Sequence, residues 1–386
     1  MTLLKEHLKS IQTDLNSLNK FIYENPELGN EEVKACRALV ELMEKHDFRV
    51  DENFVGLATA FRATYTSKKA GPKICFMAEY DALPEIGHGC GHNLIAATSV
   101  GAGIVLAKMI DELGGQVVVL GTPAEENDGA KVNMVDQGVF NDIDMVLIGH
   151  PSNQTSVAIE CLAMDAIEFE FTGKAAHAAA SPELGINALD GVISTFNNIN
   201  ALREHILPSA RVHGIISEGG LAANIVPERA VAQFYVRATK KSYLKEVVEK
   251  VKNCARAGAL SSGATLKISN YEKSYDNMVR NKALISLVEE KFIQAGIKDI
   301  DHARASLGSA DAGNVSHVCP TVHPMFAITT KDIAGHTRAF ADATQTPLAQ
   351  DMMLKVIEAF VETAIVVIEN PEILKRIKMD FDEAEK

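Results

Sequence analysis

Cys90 and His92 stand two residues apart in the run Gly87-His88-Gly89-Cys90-Gly91-His92-Asn93. A thiolate and an imidazole at that spacing suit zinc or a similar first-row cation. The glycines let the backbone fold closely around a small ion. Just upstream lie an apolar stretch, Lys73-Ile74-Cys75-Phe76-Met77-Ala78, and an acidic corner, Glu79-Tyr80-Asp81. Further donors follow: Glu125 beside Glu126, His150 after Gly149, and His336 after Gly335. Two neighbouring cations can share a bridging water, lower its pKa and polarise a carbonyl oxygen. Such a centre takes about five or six protein ligands of mixed softness. Cys90, His92, Glu126, His150 and His336 are of the right types, and the thiolate is able to bridge both ions. The pair Glu125-Glu126 suits a division of labour, one carboxylate on metal and the other acting as general base. Asp81 suits a partner that fixes the tautomer of a ligating imidazole.

Each residue has a plainer reading when taken alone. The glycine run is a turn with an incidental histidine, His336 a surface or capping residue, Glu125-Glu126 a solvated acidic turn, and His150 a satisfied core histidine. Their places in the chain favour metal. Ile74 to Ala78 leads to Asp81, and Val117 to Leu120 leads through Gly121-Thr122-Pro123-Ala124 to Glu125 and Glu126. Met145 to Ile148 leads to His150, and Met325 to Ile328 leads through a longer loop to Gly335-His336. Strand and helix patterns alternate from about residue 54 to 123, which predicts an α/β domain: a mostly parallel sheet with helices on both faces. Ligands of such sheets collect beyond the carboxyl ends of the strands. All these candidates are therefore expected on one edge.

The remaining elements frame that sheet. Leu4, Leu8, Ile11, Leu15, Leu18 and Ile22 fall at helical spacing over residues 3–22. Asn25-Pro26-Glu27-Leu28-Gly29 breaks this helix, and a second is predicted from Glu31 to about His46. From about Asp165 to Tyr271 the texture changes. Ile167-Glu168-Phe169-Glu170-Phe171, Ala232-Gln233-Phe234-Tyr235-Val236 and Thr265-Leu266-Lys267-Ile268 alternate with period two, as in half-buried antiparallel strands. Helical patterns run from Ala188 to about Ile206 and from Tyr243 to Ala259. The expected organisation is a discontinuous domain, 1–164 and 275–386, with an inserted α+β domain over 165–274. Gly101-Ala102-Gly103 lacks the third glycine of a dinucleotide loop and does not directly follow a strand.

With 386 residues, 47% hydrophobic and 23% charged, the chain is expected to be a packed two-domain protein. A net charge of −13 argues against nucleic acid or an anionic membrane as partner. No signal peptide is visible, and no uninterrupted apolar stretch is expected to be long enough for a bilayer. Six scattered cysteines make no disulfide framework, which suits a reducing cytoplasm.

The ordered set Asn25-Pro26-Glu27-Leu28-Gly29, Asp81-Ala82-Leu83-Pro84, Cys90-Gly91-His92, Pro123-Ala124-Glu125-Glu126 and Gly149-His150-Pro151 resembles the aminoacylase-like dinuclear metallopeptidases. The likeness is to the amidohydrolase branch that holds hippurate and indole-acetyl-amino-acid hydrolases. Gly173-Lys174-Ala175-Ala176-His177-Ala178, with Pro182 and Asn187-Ala188, and Gly335-His336-Thr337 extend it over nearly the whole chain. Gly308-Ser309-Ala310-Asp311-Ala312-Gly313-Asn314-Val315-Ser316, together with Asn93, is similar to the aminoacylase-1-like dipeptidase subgroup, which includes Xaa-Arg and β-alanyl-lysine dipeptidases. Tyr23 departs from the histidine that many relatives carry.

The resemblance implies two divalent ions, zinc or manganese, on Cys90, His92, Glu126, His150 and His336, with Glu125 as general base. It also implies a homodimer through the inserted lid domain. His177 would steady the oxyanion in the partner's site, and Asn224 and Arg237 would bind the substrate carboxylate. The implied substrate is an N-acyl amino acid or dipeptide with a free carboxylate, or alternatively p-aminobenzoyl-glutamate or a hippurate-type amide. A hydrolase with Cys90 as nucleophile is the reading from another class.

Overall fold

The computed structural model describes residues 3–302 and 308–384. Helices α1 (Leu3–Glu24) and α2 (Val33–Lys45) precede β1 (Arg49–Glu52), β2 (Phe61–Thr66) and β3 (Lys73–Ala78). Next come α3 (His92–Leu113), β4 (Gln116–Gly121), α4 (Ala130–Asp136), β5 (Met145–Leu147) and β6 (His150–Ser152). The middle of the chain holds β7 (Ala163–Thr172), α5 (Ala188–Leu202), β8 (Arg211–Glu218), β9 (Arg229–Ala238), α6 (Lys241–Ser262) and β10 (Thr265–Asn270). It ends with α7 (Lys282–Gln294), α8 (Ala312–Ser316), β11 (Thr321–Val322), β12 (Met325–Ala327), α9 (Arg338–Ala343), α10 (Pro347–Glu369) and α11 (Pro371–Glu383). Two compact units result. One runs to Glu160 and resumes at Met278; the other is Cys161–Asn277 joined by the stretch ending at Ser309. A cut after residue 164 would fall inside β7, whose first pair, Ala163 with Ala238, already belongs to the second unit.

The first unit is built on a six-stranded sheet of order β1-β2-β4-β3-β5-β11. Neighbours from β4 to β11 run parallel, while β1 and β2 add an antiparallel edge. The apolar run from Met325 does not join this sheet, contrary to expectation: β12 pairs with β6 in a separate two-stranded sheet. The strand beside β5 is the two-residue β11, too short to carry a periodic signal.

Helix α3 packs against α1, α10, β3 and β4. By length and composition it could cross a membrane, but it carries Lys108, Asp111 and Glu112, and 89% of its most apolar window is buried in the protein. Close packing explains its glycines. A Cβ on Gly101 would meet Ile357 Cδ1 at 2.7 Å and Leu15 Cδ1 at 2.9 Å, and one on Gly103 would meet Val119 Cγ2 at 2.4 Å. Helix α1 buries the predicted stripe Leu4, Leu8, Ile11, Leu15, Leu18 and Ile22, each side chain contributing about 1.5–3 kcal/mol.

The second unit is an antiparallel sheet of order β10-β7-β9-β8. Helices α5 and α6 cover the face carrying Ile167, Phe169, Phe171 and Phe234. Edge strand β8 has no counterpart among the elements expected from sequence. Only its Val212 is buried, and Ile215 and Ile216 are both exposed, so no alternation betrays it.

Candidate metal centre

Beyond β3 the chain passes Glu79 and Asp81 before turning into α3. Gly91, at the helix N-cap, has φ 84°, and a Cβ there would lie 2.4 Å from Pro151 Cγ. Only glycine meets both demands, and it sets His92 as the first helical residue. His92 Nδ1 lies 2.8 Å from Asp81 Oδ1. A carboxylate only accepts, so Nδ1 carries the proton, and Nε2 is the nitrogen left to face a metal. The other oxygen of Asp81 accepts from the Glu126 backbone N–H at 2.9 Å, tying two candidate ligands together.

His150, at the start of β6, has Nδ1 2.6 Å from the Pro151 carbonyl and Nε2 3.4 Å from Cys90 Sγ. Burial lowers the His150 imidazole to about 4, leaving the neutral ring that coordinates metals. His336 donates its backbone N–H to the Gly89 carbonyl at 2.8 Å and takes φ 59°. Its Nε2 lies 3.6 Å from Glu126 Oε1.

The turn before the two glutamates rests on Glu32, which sequence reasoning missed. Buried Glu32 accepts from the Ala124 N–H at 2.7 Å and from Thr59 Oγ1 at 2.9 Å. Ala124 is thereby held at φ 58°, an unusual conformation for a residue with a Cβ. Burial, followed by the charges of Glu79 and Glu126, pushes the Glu125 carboxyl well above its ordinary range. A carboxylate with that raised basicity is suited to accepting a proton.

Three sets of ligand atoms gather within 4.8 Å of one another: Cys90, His92 and His150; Cys90, Glu126 and His336; and His92, Glu125 and Glu126. Cys90 is common to the first two. His92 Nε2 and Glu126 Oε1 are buried with no hydrogen-bond partner among the described residues, and they lie 3.9 Å apart. Orphaned buried polar atoms cost free energy, and a cation between them would satisfy both. The mixed sulfur, nitrogen and oxygen donors fit divalent transition metals.

Four more buried groups stand behind this cluster. Glu79 and Asp311 flank Lys131, at 2.7 and 2.6 Å from its Nζ. The His323 ring centroid lies 5.7 Å from that of His150. His323 repeats the strand-then-histidine pattern of His150, but after only two strand residues.

His177, Asn224 and Arg237 belong to the second unit. His177 is exposed, and its Nδ1 accepts from the Ala180 N–H at 3.1 Å, so Nε2 is the protonated nitrogen of the neutral ring. The Ala178 N–H donates to the Asn224 carbonyl at 3.0 Å, which sets the His177 and Asn224 loops side by side. Arg237, on β9, donates to Ser309 Oγ at 3.1 Å and lies 5.5 Å from the Tyr235 ring centroid.

Known proteins similar to this chain identify its family. The model of peptidase family M20/M25/M40 matches residues 75–359. The Xaa-Arg dipeptidase of Mus musculus is 36% identical over 97% of this chain and 90% of its own length. One polypeptide of the p-aminobenzoyl-glutamate hydrolase of Escherichia coli K12 is 33% identical over 68% of this chain and 58% of its own. A Bacillus subtilis structure described as a dinuclear metal binding peptidase superposes with a TM-score of 0.71 at 21% identity, covering 94% of this chain and 99% of that one. At that identity the likeness to the solved structure is one of fold. Matched by the family model over most of its length, and by a relative almost end to end, the chain belongs to peptidase family M20/M25/M40 and is a hydrolase.

Proposed function

We propose that this protein hydrolyses the amide bond of N-acyl amino acids or dipeptides with a free carboxylate, using two divalent cations, zinc or manganese. The observation that supports this best is the convergence of Cys90, His92, Glu126, His150 and His336 from four separate stretches of chain, with Cys90 common to two ligand groups. Cations held there would polarise the scissile carbonyl and acidify a water.

The protein's own groups do the rest. Glu125 takes the water's proton and delivers it to the leaving nitrogen. His177, supplied across a homodimer, donates its Nε2 hydrogen to the developing oxyanion. Arg237 grips the substrate carboxylate in two places and Asn224 adds a hydrogen bond. Asp81 keeps His92 in its ligating tautomer. Edge strand β8, with Ile215 and Ile216 exposed, is the face we assign to the homodimer contact. No disulfide joins the cysteines among the described residues, which suits the cytoplasm.

The contact between Cys90 and His150 also invites a thiol-nucleophile reading. That reading gives no role to Glu125, Glu126 or the orphaned His92 nitrogen. The two mechanisms separate cleanly in one assay of β-alanyl-lysine, Xaa-Arg dipeptides, p-aminobenzoyl-glutamate and hippurate. Chelator should abolish activity, and zinc or manganese should restore it. Activity that survives chelation and dies on alkylation would overturn the metal mechanism.

A further inference from the structure

We propose that Glu79 is a further residue of the metal centre, a positioning carboxylate whose charge, clamped by Lys131, helps to hold the cation bound by His92 and His150. The inference rests on the metal reading given above and extends it to a residue outside the five ligands and the base.

Glu79 lies just past β3 and is 1% exposed. Its Oε2 sits 3.5 Å from His92 Nε2, the ring nitrogen that has no hydrogen-bond partner among the described residues. Its Oε1 sits 2.7 Å from Lys131 Nζ. Lys131 is in turn fixed from its other side. Asp311 Oδ1 lies 2.6 Å from Nζ, and Asp311 Oδ2 accepts the Lys131 backbone N–H at 3.1 Å. One oxygen of Glu79 is thus anchored while the other faces the cluster.

Charge counting points the same way. Two carboxylates and one ammonium leave a negative charge in the interior, and buried charge is costly unless it is matched. Among the candidate ligands, the cation with Glu126 and His336 has a carboxylate of its own. A cation on His92, His150 and Cys90 would have no carboxylate among those three ligands. Glu79 stands on that poorer side. Glu125 lies farther from His92 Nε2, at 3.9 Å, and is needed as the base.

Metal binding tests this without reference to turnover. Apo protein is titrated with zinc or manganese against a chromogenic chelator, and bound metal is counted after dialysis. Wild type is expected to take two equivalents. Glu79→Gln, neutral but of the same shape, should weaken one equivalent at least about tenfold and leave the other unchanged. Asp311→Asn removes the same charge from the far side of Lys131 and should weaken binding by no more than about threefold. Equal losses in the two variants, or none in Glu79→Gln, would overturn the proposal. Should Glu79→Gln not yield folded protein by circular dichroism, Glu79→Asp keeps the charge and withdraws it. An intermediate loss is then expected, and unchanged affinity overturns the role. Wild type that takes up no metal would remove the metal reading itself; two equivalents of unchanged affinity in Glu79→Gln would remove only Glu79.

Discussion

The candidate centre in the first unit and the residues of the second that we propose to handle substrate are built in opposite ways. Around the centre, most of the candidate ligands are tied, through ring or backbone, to a buried side chain or a backbone group, although the His336 side chain is 59% exposed. Asp81 holds both His92 and the Glu126 amide, the Pro151 carbonyl holds His150, and Glu32 holds the Ala124 turn. His177 and Asn224, by contrast, are exposed and sit on loops joined by backbone contacts. A metal centre must be preorganised to within fractions of an ångström, whereas residues that meet a substrate must let it in and out. The difference teaches that substitutions in the second unit should lower turnover without loss of metal, whereas metal affinity should respond only to the first.

The sharpest break is expected at Glu125. Glu125→Gln should lower kcat by about 10³–10⁴-fold, the upper range for a positioned proton carrier, while metal analysis still finds two ions per chain. If activity persists, Glu125 is not the base. His177→Asn should cost about 10²-fold in kcat, as loss of one oxyanion donor does, again with metal content unchanged. Metal loss in that variant would erase the division between the halves. Asp81→Asn tests the other side. It should weaken metal affinity by about 10–100-fold through the orientation of His92, read by competition with a chelator. Arg237→Lys should raise KM by about tenfold or more with little change in kcat, because one ammonium cannot replace a two-pronged grip. The smallest effect is expected at β8. Ile215→Asp should change stability by no more than about 0.5 kcal/mol, since its side chain is 61% exposed, yet shift the protein toward monomer in sedimentation velocity.

The centre was legible because its residues are chemically conspicuous and follow apolar strands: Glu125 and Glu126 after β4, His150 after β5, Cys90 and His92 in their glycine run. The helix stripes of α1 and the alternation in β7 and β9 were legible for the same reason, namely that one face is buried. What escaped had no local signal. Strand β8 buries almost nothing, and β11 is too short to show a period. The bond between Glu32 and Ala124 joins residues 92 positions apart, and that between Lys131 and Asp311 spans 180. One sequence shows which residues are present but not which distant ones meet. Nor does it announce that Ala124 adopts a positive φ, since alanine is not a residue that marks such turns.

Helix α3 acts as a stiff lever with a ligand at its tip. His92 is its first residue, and Gly101 lies nine residues along, about 14 Å away at the α-helical rise. At Gly101 the helix is wedged against Leu15 and Ile357 with no room for a methyl group. A side chain added there would press on the tips of Leu15 and Ile357. The helix that begins with a candidate ligand is thus seated between α1 and α10 well away from the centre itself.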